Sequence, residues 1–147
     1  MALSFNSKGN LHQTIGLTYE KFKKEFGTNP HRVQQISNAL RFCKIFYSCG
    51  CATVYVGGSF VSEKKHPGDI DLCFDITTLD ERKLKREFPQ FFDLNEIGKI
   101  RREFHCHIFH YHEEEPILLD MLKEDREGNR KGLVKLDLQD IVHYDHK

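Results

Sequence analysis

The chain has 147 residues, and its 22 Lys plus Arg balance its 22 Asp plus Glu, leaving no net charge. That balance argues against an extended nucleic-acid-binding surface, and no apolar run is long enough to span a bilayer. The opening Met-Ala-Leu-Ser-Phe-Asn lacks a signal-peptide pattern, so a cytoplasmic location is expected.

In chain order, residues 1–16 read as a lead-in arm, with Leu11 and Ile15 able to tack it onto a single domain spanning 1–147. Thr18 is a natural N-cap; Tyr19, Phe22 and Phe26 follow at helical spacing, and Gly27 ends the helix. Asn29-Pro30 opens a second, longer helix with Val33, Ile36, Leu40, Cys43 and Phe46 on one face, closed by Gly50. A strand over Ala52–Val56 comes next. The second of two closely spaced strands, ending near Phe74, carries Asp69 and Asp71. Thr77–Asp80 opens a third helix with Leu84 and Phe88 facing inward, and Pro89 ends or bends it. Residues 91–98 form a mixed linker. By alternation, residues 101–111 are a strand, with Phe104, Cys106 and Ile108 on one side and Glu103, His105 and His107 on the other. A short helix or turn over Ile117–Leu122, a charged glycine turn over Asp125–Gly132 and a final strand over Leu133–Leu138 complete the order. The fold class is α+β: a small mixed β-sheet with helices packed mainly on one face. The five cysteines form no CxxC pair and read as buried, reduced thiols.

The stretch from Val54 to Phe74 concentrates the chemistry. An apolar strand breaks at Gly57-Gly58-Ser59, a polar loop with Lys64 and Lys65 follows, and Asp69-Ile70-Asp71 opens the next strand. Residues two apart on a strand share a face, about 6.5–7 Å apart, so the two carboxylates point together while Ile70, Leu72 and Phe74 enter the core. Unpartnered, the pair costs on the order of 2–3 kcal/mol of repulsion. A divalent cation removes that cost, and hard oxygen donors completed by phosphate and water suit Mg²⁺. Gly57 and Gly58 let a phosphate approach the main chain, and Ser59 adds a hydroxyl donor. Lys65, between the phosphate loop and the acids, is a further candidate for the nucleotide. Arg101, Arg102, Arg126, Arg130 and Lys131 are other cations whose ordinary place is the solvated surface. His105, His107, His110 and His112 lack the converging geometry of a zinc site and read as polar strand positions.

Gly57-Gly-Ser, a spacer and Asp69-Ile-Asp71 resemble the signature of the DNA polymerase β-type nucleotidyltransferase superfamily. Phe26–Arg32, Gly57–Val61, Pro67–Asp71 and Asp125–Val134 together resemble a group of short prokaryotic nucleotidyltransferase-like proteins. These are similar to the minimal nucleotidyltransferases, some of which act as antitoxins in toxin–antitoxin or phage-defence loci. The resemblance implies the nucleotidyltransferase fold and a Mg²⁺-dependent transfer of a nucleoside monophosphate from an NTP, ATP first, to a protein or RNA acceptor. Asp69 and Asp71 would be catalytic metal ligands, and Gly57, Gly58, Ser59 and Lys65 would bind the nucleotide. It further implies a third carboxylate from the neighbouring strand, completing a two-metal site. The 101–111 strand has no Asp, so Glu103 ranks first for that role; His107 is the alternative, and Asp120 and Asp137 are weaker candidates. If none reaches the site, the alternative is a catalytically degenerate member that acts on a partner, such as a toxin, by direct contact.

Overall fold

The computed structural model describes residues 3–145. Its elements are β1 (Ile15–Gly16), α1 (Tyr19–Phe26), α2 (Pro30–Ser48), β2 (Thr53–Gly57), β3 (Ile70–Asp75), α3 (Glu81–Glu87), α4 (Leu94–Phe104), β4 (Cys106–Tyr111), α5 (Ile117–Met121), β5 (Val134–Asp137) and α6 (Leu138–Asp145). The five strands form one mixed sheet in the order β1-β5-β2-β3-β4. β2 runs antiparallel to both β3 and β5, while β1–β5 and β3–β4 are parallel pairs. This is an α+β architecture. No helix among the described residues is long and apolar enough to cross a membrane.

One face of the sheet carries the main core. Val54, Val56, Ile70, Leu72, Phe74, Cys106 and Leu136 pack there against Phe22 and Phe26 of α1, Ile36, Phe42 and Phe46 of α2, and Ile141 of α6. Phe46 stacks on Phe74 with ring centroids 4.0 Å apart. The opposite face is thinly covered: Cys73, Tyr111, Leu119 and Leu133 form a small cluster with Tyr55, Phe109 and Leu122 at its margin. β3 alternates between the two, so Asp71 shares the thinly covered face with Cys73. A polar group there meets solvent or a ligand rather than packed helices.

The caps of the first two helices match their sequence signals. Thr18 Oγ1 accepts from Lys21 N, and Asn29 Oδ1 accepts from Arg32 N. The arm is tacked down by Leu11, which is buried, and continues into the short β1. The buried face of α2 differs from the expected apolar stripe. Val33 is 53 % exposed, whereas Arg32 and Gln35 are buried beside Ile36, Ala39, Phe42, Cys43 and Phe46.

A larger correction concerns residues 91–105. Phe91 and Phe92 close a short 3-10 turn, Pro89–Phe92, and the rest of the expected linker with the first residues of the expected 101–111 strand is helix α4, capped by Asp93, whose Oδ1 accepts from Asn95 N. Ile97, Ile100 and Phe104 recur along α4 at helical spacing, and the last two join the main core's margin. His105 ends the helix in the left-handed conformation at φ 54°, and β4 begins at the next residue. The chain after β5 also forms α6, which the sequence pattern did not mark.

Candidate functional site

At one end of the sheet the strands bring together residues far apart in sequence. Gly57 lies opposite Asp71 in the β2–β3 register, and Asp71 lies beside His107 in the β3–β4 register. Asp69 precedes the first residue of β3. Its Oδ2 accepts a 2.9 Å bond from Arg101 Nε, and its Oδ1 lies 3.8 Å from His105 Nδ1. The left-handed turn at His105 makes this possible: it ends α4 within one turn of Arg101, and Ile70 N donates to the His105 carbonyl at 2.9 Å. The last turn of α4 and the start of β4 therefore both face the β3 entrance.

Gly58 fixes the approach of the main chain to Asp71. Its φ is +76°, a conformation L side chains rarely adopt, and a Cβ built there would meet Asp71 Oδ2 at 2.8 Å. The backbone thus approaches the carboxylate with no space for a side chain between them, and a short turn of 3-10 helix, Gly58–Val61, leads away from it. Ser59 lies in that turn, half-buried, and its carbonyl accepts from Ser62 Oγ.

The loop between Ser59 and Asp69 is held from beneath by α2. The Arg32 guanidinium, 3 % exposed, donates Nη1 to the Phe60 carbonyl at 2.6 Å and Nη2 to the carbonyls of Ser62, at 3.0 Å, and Lys64. It also lies over the Phe60 ring, 4.9 Å from the centroid. Asn29 Nδ2 donates to the Lys65 carbonyl, and Gln35 Nε2 donates to the carbonyls of Pro67 and Gly68. These three side chains, each three residues from the next along α2 and its cap, serve one loop, so the loop's path to Asp69 is set by α2.

The electrostatics distinguish the two acids. Asp69 has Arg101 for a partner. Asp71, whose side chain is 19 % exposed, lies 4.0 Å from His107 Nδ1. Burial pushes the Asp71 carboxyl up to about 6; the Asp69 charge adds to this, while Lys131 and Arg101 oppose it. His107 moves the other way: burial and the Arg101 charge hold its imidazole below the usual range, against the pull of Asp69. Near neutral pH the arrangement is an ionised but poorly solvated carboxylate beside a neutral imidazole.

The predicted site residues are only partly brought together. Gly57, Gly58, Asp69, Asp71 and His107 converge, and Ser59 borders them. Glu103 was expected on the polar face of a strand, but it lies in the last turn of α4. It is two residues from Arg101, hence about 200° round the helix, and points to solvent as Arg101 points to Asp69. The neighbour of Asp71 on β4 is therefore an imidazole and not a third carboxylate. Among the described residues no three His, Cys, Asp or Glu side chains converge as a metal-binding group. Lys65 is exposed and contributes its carbonyl to Asn29; the cations whose charge reaches Asp71 are Lys131 and Arg101. Lys131 was one of several basic residues in the sequence, and only the pairing of β5 with β2 brings it to this end of the sheet.

The donor set suits one hard cation better than two. Asp69 and Asp71, separated by one residue, would be the oxygen ligands of such a cation, with phosphate oxygens and water completing its shell. An imidazole in the third place is a poorer partner for Mg²⁺ than an oxygen.

Among known protein families, the model described as a family of unknown function, DUF6932, matches residues 3–137. That span holds every element from the arm through β5. No curated protein and no solved structure matches the chain.

Proposed function

The chain belongs to the DUF6932 family of unknown function, and we propose that it is a Mg²⁺-dependent nucleotidyltransferase that moves a nucleoside monophosphate from an NTP, ATP first, to a protein or RNA hydroxyl. The observation that supports this reading best is the contact of Gly58, at φ +76°, with the inner of two carboxylates at the start of β3. Main chain pressed onto an under-solvated carboxylate is an arrangement for a phosphate and a cation to share, and it has a stability cost without them.

In this reading Asp69 and Asp71 hold the cation, which supplies charge neutralisation for the phosphates. Arg101 orients Asp69 through its 2.9 Å bond. Gly58 and Ser59 offer the backbone and hydroxyl donors for phosphate oxygens. His107, neutral and next to Asp71, takes the proton of the acceptor hydroxyl. The acceptor oxygen bonds to the α-phosphorus, the bond from that phosphorus to the β-bridging oxygen breaks, and pyrophosphate leaves.

One observation favours a second reading. Glu103 is turned away and His107 stands where a third acid was expected. A member with only two carboxylates could bind a nucleotide or a partner protein, including a toxin, without transferring anything.

The test is incubation with α-phosphate-labelled ATP and Mg²⁺ in a bacterial extract supplying protein and RNA acceptors. Acid-stable label on a macromolecule, lost with Asp69→Asn plus Asp71→Asn, is the expected result. No transfer, with Mg·ATP still bound, would move the conclusion to the second reading.

A further inference from the structure

Beyond the Gly57–Gly58 break, on the side away from His107, lies a cleft of about 590 Å³ lined by Thr14, Lys123, Arg130 and Lys131 together with Asp120 and Glu124. The sheet places it. Ile15 and Val56 are both in register with Val134, so Thr14 and the residues just before β5 reach the same end of the sheet as Gly58. Asp71 and Lys131 are then about two strand spacings apart, on the order of 10 Å. The Lys131 charge is felt at Asp71, which supports this placement.

The cations sit on a fixed backbone. Glu124 and Arg130 bridge the hairpin that carries them, and the Asp125 carboxylate accepts from Glu127 N and Asn129 N inside it. Lys131 N donates to the Lys123 carbonyl at 2.8 Å, and Asn6 Nδ2 donates to the Arg130 carbonyl at 3.1 Å. The two acids of the cleft offset part of its charge. Asp120 is 66 % exposed and lies 3.7 Å from Lys123, so that pair is screened by water and can open to a stronger anion. Lys64 and Lys65, whose carbonyls are held by Arg32 and Asn29, line a separate and smaller cleft of about 320 Å³ together with Glu25 and Glu63.

We propose that this cleft receives the polyphosphate of the nucleoside triphosphate, with Lys131, Lys123 and Arg130 on its β- and γ-phosphates. The inference rests on the nucleotide reading of the Asp69–Asp71 pair. It assigns the polyphosphate, and the pyrophosphate that leaves, to the β5 side of the glycines, and so the acceptor to the His107 side.

The experiment compares the affinities of Mg·ATP and AMP by calorimetry for wild type, Lys123→Ala plus Lys131→Ala, and Lys64→Ala plus Lys65→Ala. Wild type should prefer ATP; loss of two charged donors from the cleft should weaken ATP about tenfold or more and AMP by no more than a factor of about two. The loop variant should lose less ATP affinity than the cleft variant. Lys131→Gln alone, a change that keeps the side chain polar at a half-buried position, provides the same comparison if the double variant folds poorly. Loss of the ATP preference in the loop variant with retention in the cleft variant overturns the inference and leaves the nucleotide reading intact. Equal affinity of wild type for ATP and AMP does the same. Wild type that binds neither nucleotide removes both.

Discussion

Replacing Arg32 by Ala should destabilise the protein by about 3–4 kcal/mol, among the largest effects expected of a single substitution. The guanidinium is almost wholly buried and satisfies the carbonyls of Phe60, Ser62 and Lys64, with a longer 3.4 Å bond to that of Phe26. Without it those carbonyls face α2 with no donor, and the Phe60 ring loses the planar group over it. Burial already lowers the pKa of Arg32, so the site bears a desolvation cost that the carbonyl bonds offset. Lys should rescue little, because one ammonium on a flexible stem cannot reproduce a fork aimed at three acceptors. Urea unfolding gives the stability, and amide exchange over residues 60–68 shows whether the loss is local to the loop. A change below about 1 kcal/mol would mean that water or the loop itself replaces those bonds, and that α2 does not hold the approach to Asp69.

Asp71→Asn should do the reverse and stabilise the protein at neutral pH. A carboxyl with a folded pKa of about 6 against an ordinary value of 3.8 withholds about 3 kcal/mol from the folded state once it is ionised. The sign follows from proton uptake. Between those values the folded chain binds more protons at this group than the unfolded chain, so stability falls as pH rises from about 4 to about 6 and stays low above. Asn resembles the protonated acid, so the gain should be near zero at the bottom of that window and full at the top. At pH 7 it corresponds to roughly 6–10 °C in Tm. Asp69→Asn should give no such gain, because it gives up the Arg101 bond at a more exposed position. Thermal unfolding of both variants from pH 4 to 7.5, in buffer free of divalent cations, checks this. An Asp71→Asn gain that does not change with pH would show that ionisation of Asp71 is not its source.

The parts of the fold legible in the sequence were those written in local signals. Thr18 and Asn29-Pro30 mark helix starts because a short polar side chain there caps the first turn whatever packs around it. Asp69-Ile70-Asp71 declares its two faces by alternation, and both faces are as read. The joint at His105 was hidden for a physical reason. Helices commonly signal their end with a glycine in the left-handed conformation, and here a histidine adopts it. The alternation of Phe104, Cys106 and Ile108 then ran unbroken from the end of α4 into β4, which placed Glu103 on a strand. The burial of Arg32 and Gln35 is not legible in the apolar stripe of α2, because the carbonyls they serve belong to a loop some thirty residues on. Lys131 was one basic residue among many until the β5–β2 register carried it to Asp71. Asp69, Asp71, the two glycines and His107 stand out by residue type and local pattern, whereas the pairing of Arg101 with Asp69 and the placing of Lys131 come only from the α4 turn and the sheet register.

The central claim, a cation-dependent nucleotide site at Asp69 and Asp71, is tested most directly by thermal unfolding with ATP, GTP, CTP and UTP, each with and without Mg²⁺. Wild type and the Asp69→Asn plus Asp71→Asn variant are compared. A nucleotide at a hundred times its Kd should stabilise wild type by about 2.7 kcal/mol, only when Mg²⁺ is present, and should leave the variant unmoved. An equal shift in the variant would contradict the assignment of the site. No shift with any of the four would contradict the nucleotide reading itself.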